Sequence, residues 1–136
     1  MASEDIVRLL RAARVAEKQQ TLFYRALAGK ADEAAAPEDI EALNGLLADE
    51  QHHLSRLSAR LVELGHETGA MVAQAPPCDL ASWRATARQR EGAEIERYEE
   101  LLRQPLDEVT GNMIRAMLAT EREHARNLGG KYTEAI

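Results

Sequence analysis

The chain has 136 residues, 17 basic and 23 acidic side chains, and a formal net charge of −6; the length suits one domain spanning 1–136, and the acidity argues against nucleic-acid binding. Its lone Cys78 excludes an internal disulfide and any Cys-x-x-Cys metal site. No apolar run is long enough for a membrane span, the opening Met-Ala-Ser-Glu-Asp-Ile is unlike a signal peptide, and a cytoplasmic protein is expected.

Alanine, leucine, glutamate and arginine dominate, and aromatics make up only 4%, which is a helical composition. A first helix is expected over about 3–28. Ser3 is a suitable N-cap, with Glu4 and Asp5 favouring the dipole in the first turn. Its stripe runs Ile6, Leu10, Ala13, Glu17, Gln20, Tyr24, Leu27 at spacings of three and four. Glu17 stands where an apolar residue belongs. Gly29 is expected to end the helix.

Pro37 opens a second helix, expected over about 37–64, with Glu38 and Asp39 behind it and Gly65 as its stop. The stripe is Leu43, Leu47, Glu50, Leu54, Leu57, Leu61, Leu64, with His53 beside it. Asp49 and His52 are also three apart, but they share a face with Gly45, Arg56 and Ala59 that reads as solvated. Glu50 and His53 are therefore the inward pair. Residues 65–79 contain Gly69, Pro76 and Pro77 and show no helical period. Extended, that segment reaches about 45–50 Å at roughly 3.3 Å per residue. The second helix is about 40 Å long. The segment can therefore cross a whole bundle.

A third helix is expected over about 79–103, with Asp79 as N-cap and the stripe Leu80, Trp83, Ala87, Glu91, Glu94, Tyr98, Leu101. Pro105 breaks the chain. A fourth helix follows over about 106–128 with the stripe Thr110, Ile114, Met117, Glu121, His124, Leu128, ending at Gly129-Gly130. The tail from Lys131 to Ile136 is expected to be loose. Short first and last connections around one long middle crossover give an all-α, ferritin-like four-helix bundle.

The chemistry lies in the repeat. Glu50-x-x-His53 and Glu121-x-x-His124 each put a carboxylate and an imidazole on one helix face. Glu17 is followed by Tyr24 and Glu91 by Tyr98, both at seven residues, so the halves read as an internal duplication. Five carboxylates and two imidazoles fall on core stripes. An unpaired buried charge costs several kcal/mol, and nearly all basic residues lie off the stripes. Two cations would resolve this. Oxygen and nitrogen donors without thiolate suit iron or manganese, although binding strength alone also admits zinc, cobalt or copper. One Glu-x-x-His is common on exposed helices; two, joined by core glutamates from the other helices, are not. Gln20 suits a hydrogen-bond partner of a ligand. Tyr24 and Tyr98 suit donors to ligand carboxylates, carriers of electrons, or simply buried, satisfied hydroxyls. His52 and His66 are expected in solvent, Cys78 as an incidental thiol, Met113 and Met117 as packing, and Trp83 as a cap on the core or an interface.

Glu17, Glu50-x-x-His53, Glu91 and Glu121-x-x-His124 together resemble the ferritin-like di-iron carboxylate proteins. Glu91-x-x-Glu94, with the Glu17–Tyr24 spacing, resembles rubrerythrin, and the likeness runs from the first helix through the fourth. The resemblance implies two iron ions, with manganese or zinc as substitutes. It makes Glu17 and Glu121 terminal ligands, Glu50 and Glu91 bridging ones, and His124 a fixed ligand. Glu94 and His53 would exchange on one iron, and Glu94, His53, Tyr24 and Tyr98 would carry the catalysis. Rubrerythrins proper add a rubredoxin domain with four cysteines, so this sequence is similar to the stand-alone, erythrin-type bundle. The implied activity is that of a non-haem di-iron oxidoreductase using hydrogen peroxide or dioxygen, with a separate electron donor such as a rubredoxin. A ferroxidase or iron-storage protein and a non-catalytic metal-binding bundle are the alternatives. A homodimer is expected, by packing or by exchange of helix pairs about residues 65–79.

Overall fold

Ser3 caps the first helix as its sequence suggests, its hydroxyl accepting from the Ile6 N–H at 3.2 Å. From that cap the computed structural model, which describes residues 3–129, runs through four α-helices. They are α1 (Glu4–Glu33), α2 (Pro37–Glu63), α3 (Trp83–Leu102) and α4 (Glu108–Gly129). There is no strand among the described residues, and no helix among them is long and apolar enough to cross a membrane. The tail expected to be loose lies outside the described residues.

Three helix ends differ from expectation. Helix α1 does not stop at Gly29; it continues to Glu33. Leu27 and Ala31 are buried against Leu43 and Trp83, and that burial outweighs the roughly 1 kcal/mol cost of a glycine inside a helix. The reversal falls instead on Ala35, at φ 51°. The Ala36 N–H bonds to Ala31 O and the Ala35 N–H to Asp32 O, the Schellman pattern with alanine in the glycine position. Helix α2 ends in the same pattern with Gly65, as expected, at φ 88°. Helix α3 begins at Trp83 rather than Asp79. The Asp79 carboxylate accepts from the Ser82 N–H and hydroxyl, so it caps a turn that precedes the helix. Helix α4 begins after Asp107, whose carboxylate accepts from the Thr110 N–H, rather than at Leu106.

Helix α1 packs chiefly on α2 and α3 on α4, while α1 also touches α3 and α2 touches α4. The crossover from Gly65 to Ser82 lies along α1. Arg14 donates to the carbonyls of Thr68 and Gly69 and to the Ser58 hydroxyl, and Lys30 donates to the Cys78 carbonyl. Arg14 and Lys30 stand about 24 Å apart along α1 at 1.5 Å per residue, so the crossover traverses much of the bundle.

Inside are two apolar clusters. One gathers Leu10, Leu57, Leu61, Leu101, Ile114 and Met117. The other gathers Phe23, Leu27, Leu43, Leu46, Trp83 and Ala87. Along every helix the buried glutamates and histidines lie between these two clusters. The α2 stripe is shifted slightly from expectation: Leu46 and His53 are buried, while Leu47 and Leu54 are half-buried. Trp83 is inside the second cluster, its indole N–H donating to Asp39 at 3.1 Å.

Candidate metal centre

Each helix contributes two residues, three apart, to one polar layer. They are Glu17 and Gln20 from α1, Glu50 and His53 from α2, Glu91 and Glu94 from α3, and Glu121 and His124 from α4. All eight are buried, with His124 the most exposed at 6%. The helical repeat that aligns leucines above and below aligns these side chains here.

Their donor atoms fall into two groups. Glu17, Glu50, His53 and Glu121 each offer an atom within 4.8 Å of the others, and so do Glu50, Glu91, Glu121 and His124. Glu50 and Glu121 belong to both. His53 Nδ1 lies 3.2 Å from Glu50, 3.4 Å from Glu121 and 3.6 Å from Glu17. His124 Nδ1 lies 3.4 Å from both Glu91 and Glu121. Ligand atoms about 2 Å from one ion stand up to roughly 4 Å apart, so each group has the reach of a single cation.

The hydrogen-bond inventory tests whether cations fit. Among the described residues, eight buried side-chain atoms have no hydrogen-bond partner. They lie on Glu17, Glu50, His53, Glu91, Glu94, Glu121 and His124 and on no other residue. Buried polar atoms are nearly always paired, and this set consists wholly of metal-ligating atom types. The donor set therefore fits a pair of hard or borderline cations.

Protonation in the metal-free chain shows the same crowding. Burial, then the neighbouring Glu50, pushes Glu17 up to about 8. Burial likewise raises Glu50 to about 7, and burial with the charge of Glu17 raises Glu94 to about 10. Burial alone would lower His53 and His124, but their surrounding carboxylates win and raise them to about 12 and about 11. Burial and the adjacent carboxylates push both Tyr24 and Tyr98 well up, so the phenols keep their protons.

Those phenols tie the two halves together. Tyr24 on α1 donates to Glu91 on α3 at 2.6 Å, and Tyr98 on α3 donates to Glu17 on α1. Gln20 donates to Glu50 Oε2 at 3.5 Å, the partner role expected of it. Arg97 reaches Glu94 at 3.3 Å.

Two contacts were not anticipated. Asp49, read as a solvated bystander, is half exposed but its carboxylate meets His124 Nε2 at 2.8 Å. A carboxylate on the far ring nitrogen fixes an imidazole's orientation. Arg90 donates to the Gln20 carbonyl oxygen with its guanidinium over the Phe23 ring, 5.0 Å from the centroid. His52 is exposed as expected, while His66 and the free thiol Cys78 are half-buried. Of the predicted ligands, Glu50 and Glu121 are common to both groups, Glu17, His53, Glu91 and His124 belong to one each, and Glu94 belongs to neither. Each shared carboxylate comes from a Glu-x-x-His pair.

Among the layer's ligand-type side chains, His124 comes nearest to solvent. It lines a groove between α2 and α4 with Gly45, Asp49, Thr120 and Glu123.

No family model and no curated protein matches the sequence. Solved structures do. A ferritin of Chlorobium tepidum superposes with a TM-score of 0.82 at 17% identity, over 99% of this chain and 86% of that one. An Archaeoglobus fulgidus ferritin, engineered to a closed form, gives 0.81 at 18% identity over 98% and 85%. The bacterioferritin of Desulfovibrio desulfuricans, described with its diiron site in different catalytic states, gives 0.80 at 20% identity over 96% and 85%. The fold is thus that of the ferritins, an all-α four-helix bundle.

Proposed function

We propose that this chain is a di-iron oxidoreductase, its two metal positions formed by the two groups of buried ligands, with hydrogen peroxide as its oxidant. The observation that supports this most directly is the set of unpartnered buried atoms, all on the seven residues named as ligands from sequence. On this reading Glu17, Glu50, His53 and Glu121 would hold one ion and Glu50, Glu91, Glu121 and His124 the other, while Glu94, outside both groups but with an unpartnered buried oxygen, would be available to join them. The bacterioferritin of the same fold, with its diiron site, supports the pairing.

A pair of ferrous ions would supply the two electrons that cleave one oxygen–oxygen bond. The protein's part is to hold the ligands and exclude water. Tyr24 and Tyr98 donate into Glu91 and Glu17, which holds those carboxylates between α1 and α3. The apolar clusters on either side keep the layer dry and strengthen every charge interaction in it. Asp49 orients His124, while no carboxylate outside the layer holds His53 among the described residues. His53 is thus the freer imidazole, in keeping with an exchange between it and Glu94. Turnover with peroxide takes electrons from a separate donor.

A ferroxidase role is the second reading, favoured by the ferritin fold of the neighbours. Stopped-flow oxidation of the ferrous-loaded chain separates the two. Faster loss of the ferrous state with peroxide than with air supports the peroxidase; faster loss with air, with more than two irons retained per chain, supports the ferroxidase. Inertness towards both oxidants defeats both.

A further inference from the structure

Glu94 is the one ligand-type residue of the layer that falls into neither ligand group. It is buried like the others, and its Oε2 has no hydrogen-bond partner. Its other oxygen has one: Oε1 accepts from Arg97 Nη1 at 3.3 Å. No other lysine or arginine among the described residues comes within 4.0 Å of a carboxylate of the layer.

The internal duplication shows that this contact comes with the acid. From its first glutamate, α1 reads Glu17, Gln20, Phe23 and Tyr24; α3 reads Glu91, Glu94, Arg97 and Tyr98. The two runs agree at the first and last places and differ at both places between. Where the second residue is the neutral Gln20, the third is Phe23, fully buried in an apolar cluster. Where the second residue is the acidic Glu94, the third is Arg97, its side chain one-third exposed. The guanidinium thus touches the layer at one end and water at the other.

Glu94 and Arg97 are three apart on one helix, so the pair forms without help from any other helix. An ion in the layer and Arg97 compete for the same carboxylate. A partly exposed pair of this kind is worth about two- to fivefold in an equilibrium constant, a hold that a bound ion can break.

We propose that Arg97 is a positioning residue that holds Glu94 aside from both ligand groups, so that Glu94 joins a bound ion only by leaving Arg97. This rests on the two-metal reading above. A guanidinium here could instead weaken ion binding by its field alone, or aim Glu94 at an ion, and a double-mutant cycle separates the three.

The test is anaerobic titration of the metal-free full chain with cobalt(II), followed by calorimetry and visible absorption. It compares the unaltered chain, Arg97→Leu, Glu94→Gln and the double variant. Arg97→Leu is expected to strengthen binding by about two- to fivefold. It is also expected to change the visible cobalt bands, which report the ligand set. In the Glu94→Gln background the gain is expected to fall away and the bands to stay as they are in Glu94→Gln alone. Should Arg97→Leu fail to fold by circular dichroism, Arg97→Gln takes its place with the same expectations. Equal strengthening with and without Glu94 overturns the inference, since the guanidinium then acts only by its field. Weaker binding in Arg97→Leu overturns it too, since Arg97 then aims Glu94 at an ion, and so does no change at all. Each of these results leaves the two-metal reading standing. Failure of the unaltered chain to bind a pair of cobalt ions defeats that reading itself, and this inference with it.

Discussion

Glu50 and Leu57 sit two turns apart on the same face of α2, both fully buried, and they are there for opposite reasons. Leu57 contributes apolar area to the cluster it shares with Leu10, Leu61 and Ile114, and the fold is stronger for it. Glu50 opposes folding by its burial and repulsion, which is why its proton is held to about pH 7 in the metal-free chain. The same helical period built both regions. The difference teaches that periodicity reports position, whereas residue chemistry reports purpose.

Substitutions should break this comparison in opposite directions. Leu57→Ala is expected to cost 2–5 kcal/mol of unfolding free energy in denaturant titrations, with two ions still bound per chain. Glu50→Ala is expected to do the reverse. It weakens ion binding by more than about 100-fold, worth more than about 2.7 kcal/mol, yet leaves the metal-free fold no less stable, because a repelled carboxylate is gone. A Glu50→Ala chain that still holds two ions tightly would show that the ligand assignment is wrong.

Acidity separates the two regions without mutation. Glu17, Glu50, Glu94, His53 and His124 all have raised values, to about 8, 7, 10, 12 and 11. A raised group contributes stability that is complete below its ordinary value and lost as pH climbs through the raised one. For the carboxylates that loss begins above 4.5 and for the imidazoles above 6.5. The metal-free chain should therefore melt at a lower temperature at pH 8.5 than at pH 5.5. Loaded with metal, whose ligands must shed their protons, it should show the opposite slope. Asp79 and Asp107, held low by hydrogen bonds to Ser82 and Thr110, act only below their ordinary 3.8, outside that window.

The smallest effect concerns two helix ends. Ala35 and Gly65 hold the same left-handed position in the same motif, but only glycine takes it without strain. Ala35→Gly is expected to raise stability by about 0.5–1 kcal/mol, the left-handed strain relieved less the entropy glycine loses on folding. A decrease in the denaturation midpoint would mean that Ala35 is not strained.

These pairs also show what could be read from the chain alone. Four stripes at spacings of three and four placed four helices, and carboxylates inside those stripes placed the layer. Both signals are local. The end of α1 was misread because Gly29 is a local stop signal, overridden by the distant partners of Leu27 and Ala31. Asp49 and Arg90 escaped notice for the same reason. Each lies off its own helix's stripe and acts on a residue of another helix, Asp49 on His124 and Arg90 on Gln20. No spacing along one helix encodes such a reach. Which carboxylates fall in both ligand groups, Glu50 and Glu121, is likewise not written in any one helix, because it depends on how the helices lean together.

Both ligand groups draw on both hairpins: one takes residues from α1, α2 and α4, the other from α2, α3 and α4. Neither hairpin owns a complete set, so each ion, once bound, would act as a rivet between them. The strap from Gly65 to Ser82, fastened to α1 by Arg14 and Lys30, keeps the second hairpin at high effective concentration beside the first. A chain nicked within that strap would lose this tether and lean on its rivets, coming apart when a chelator withdraws them.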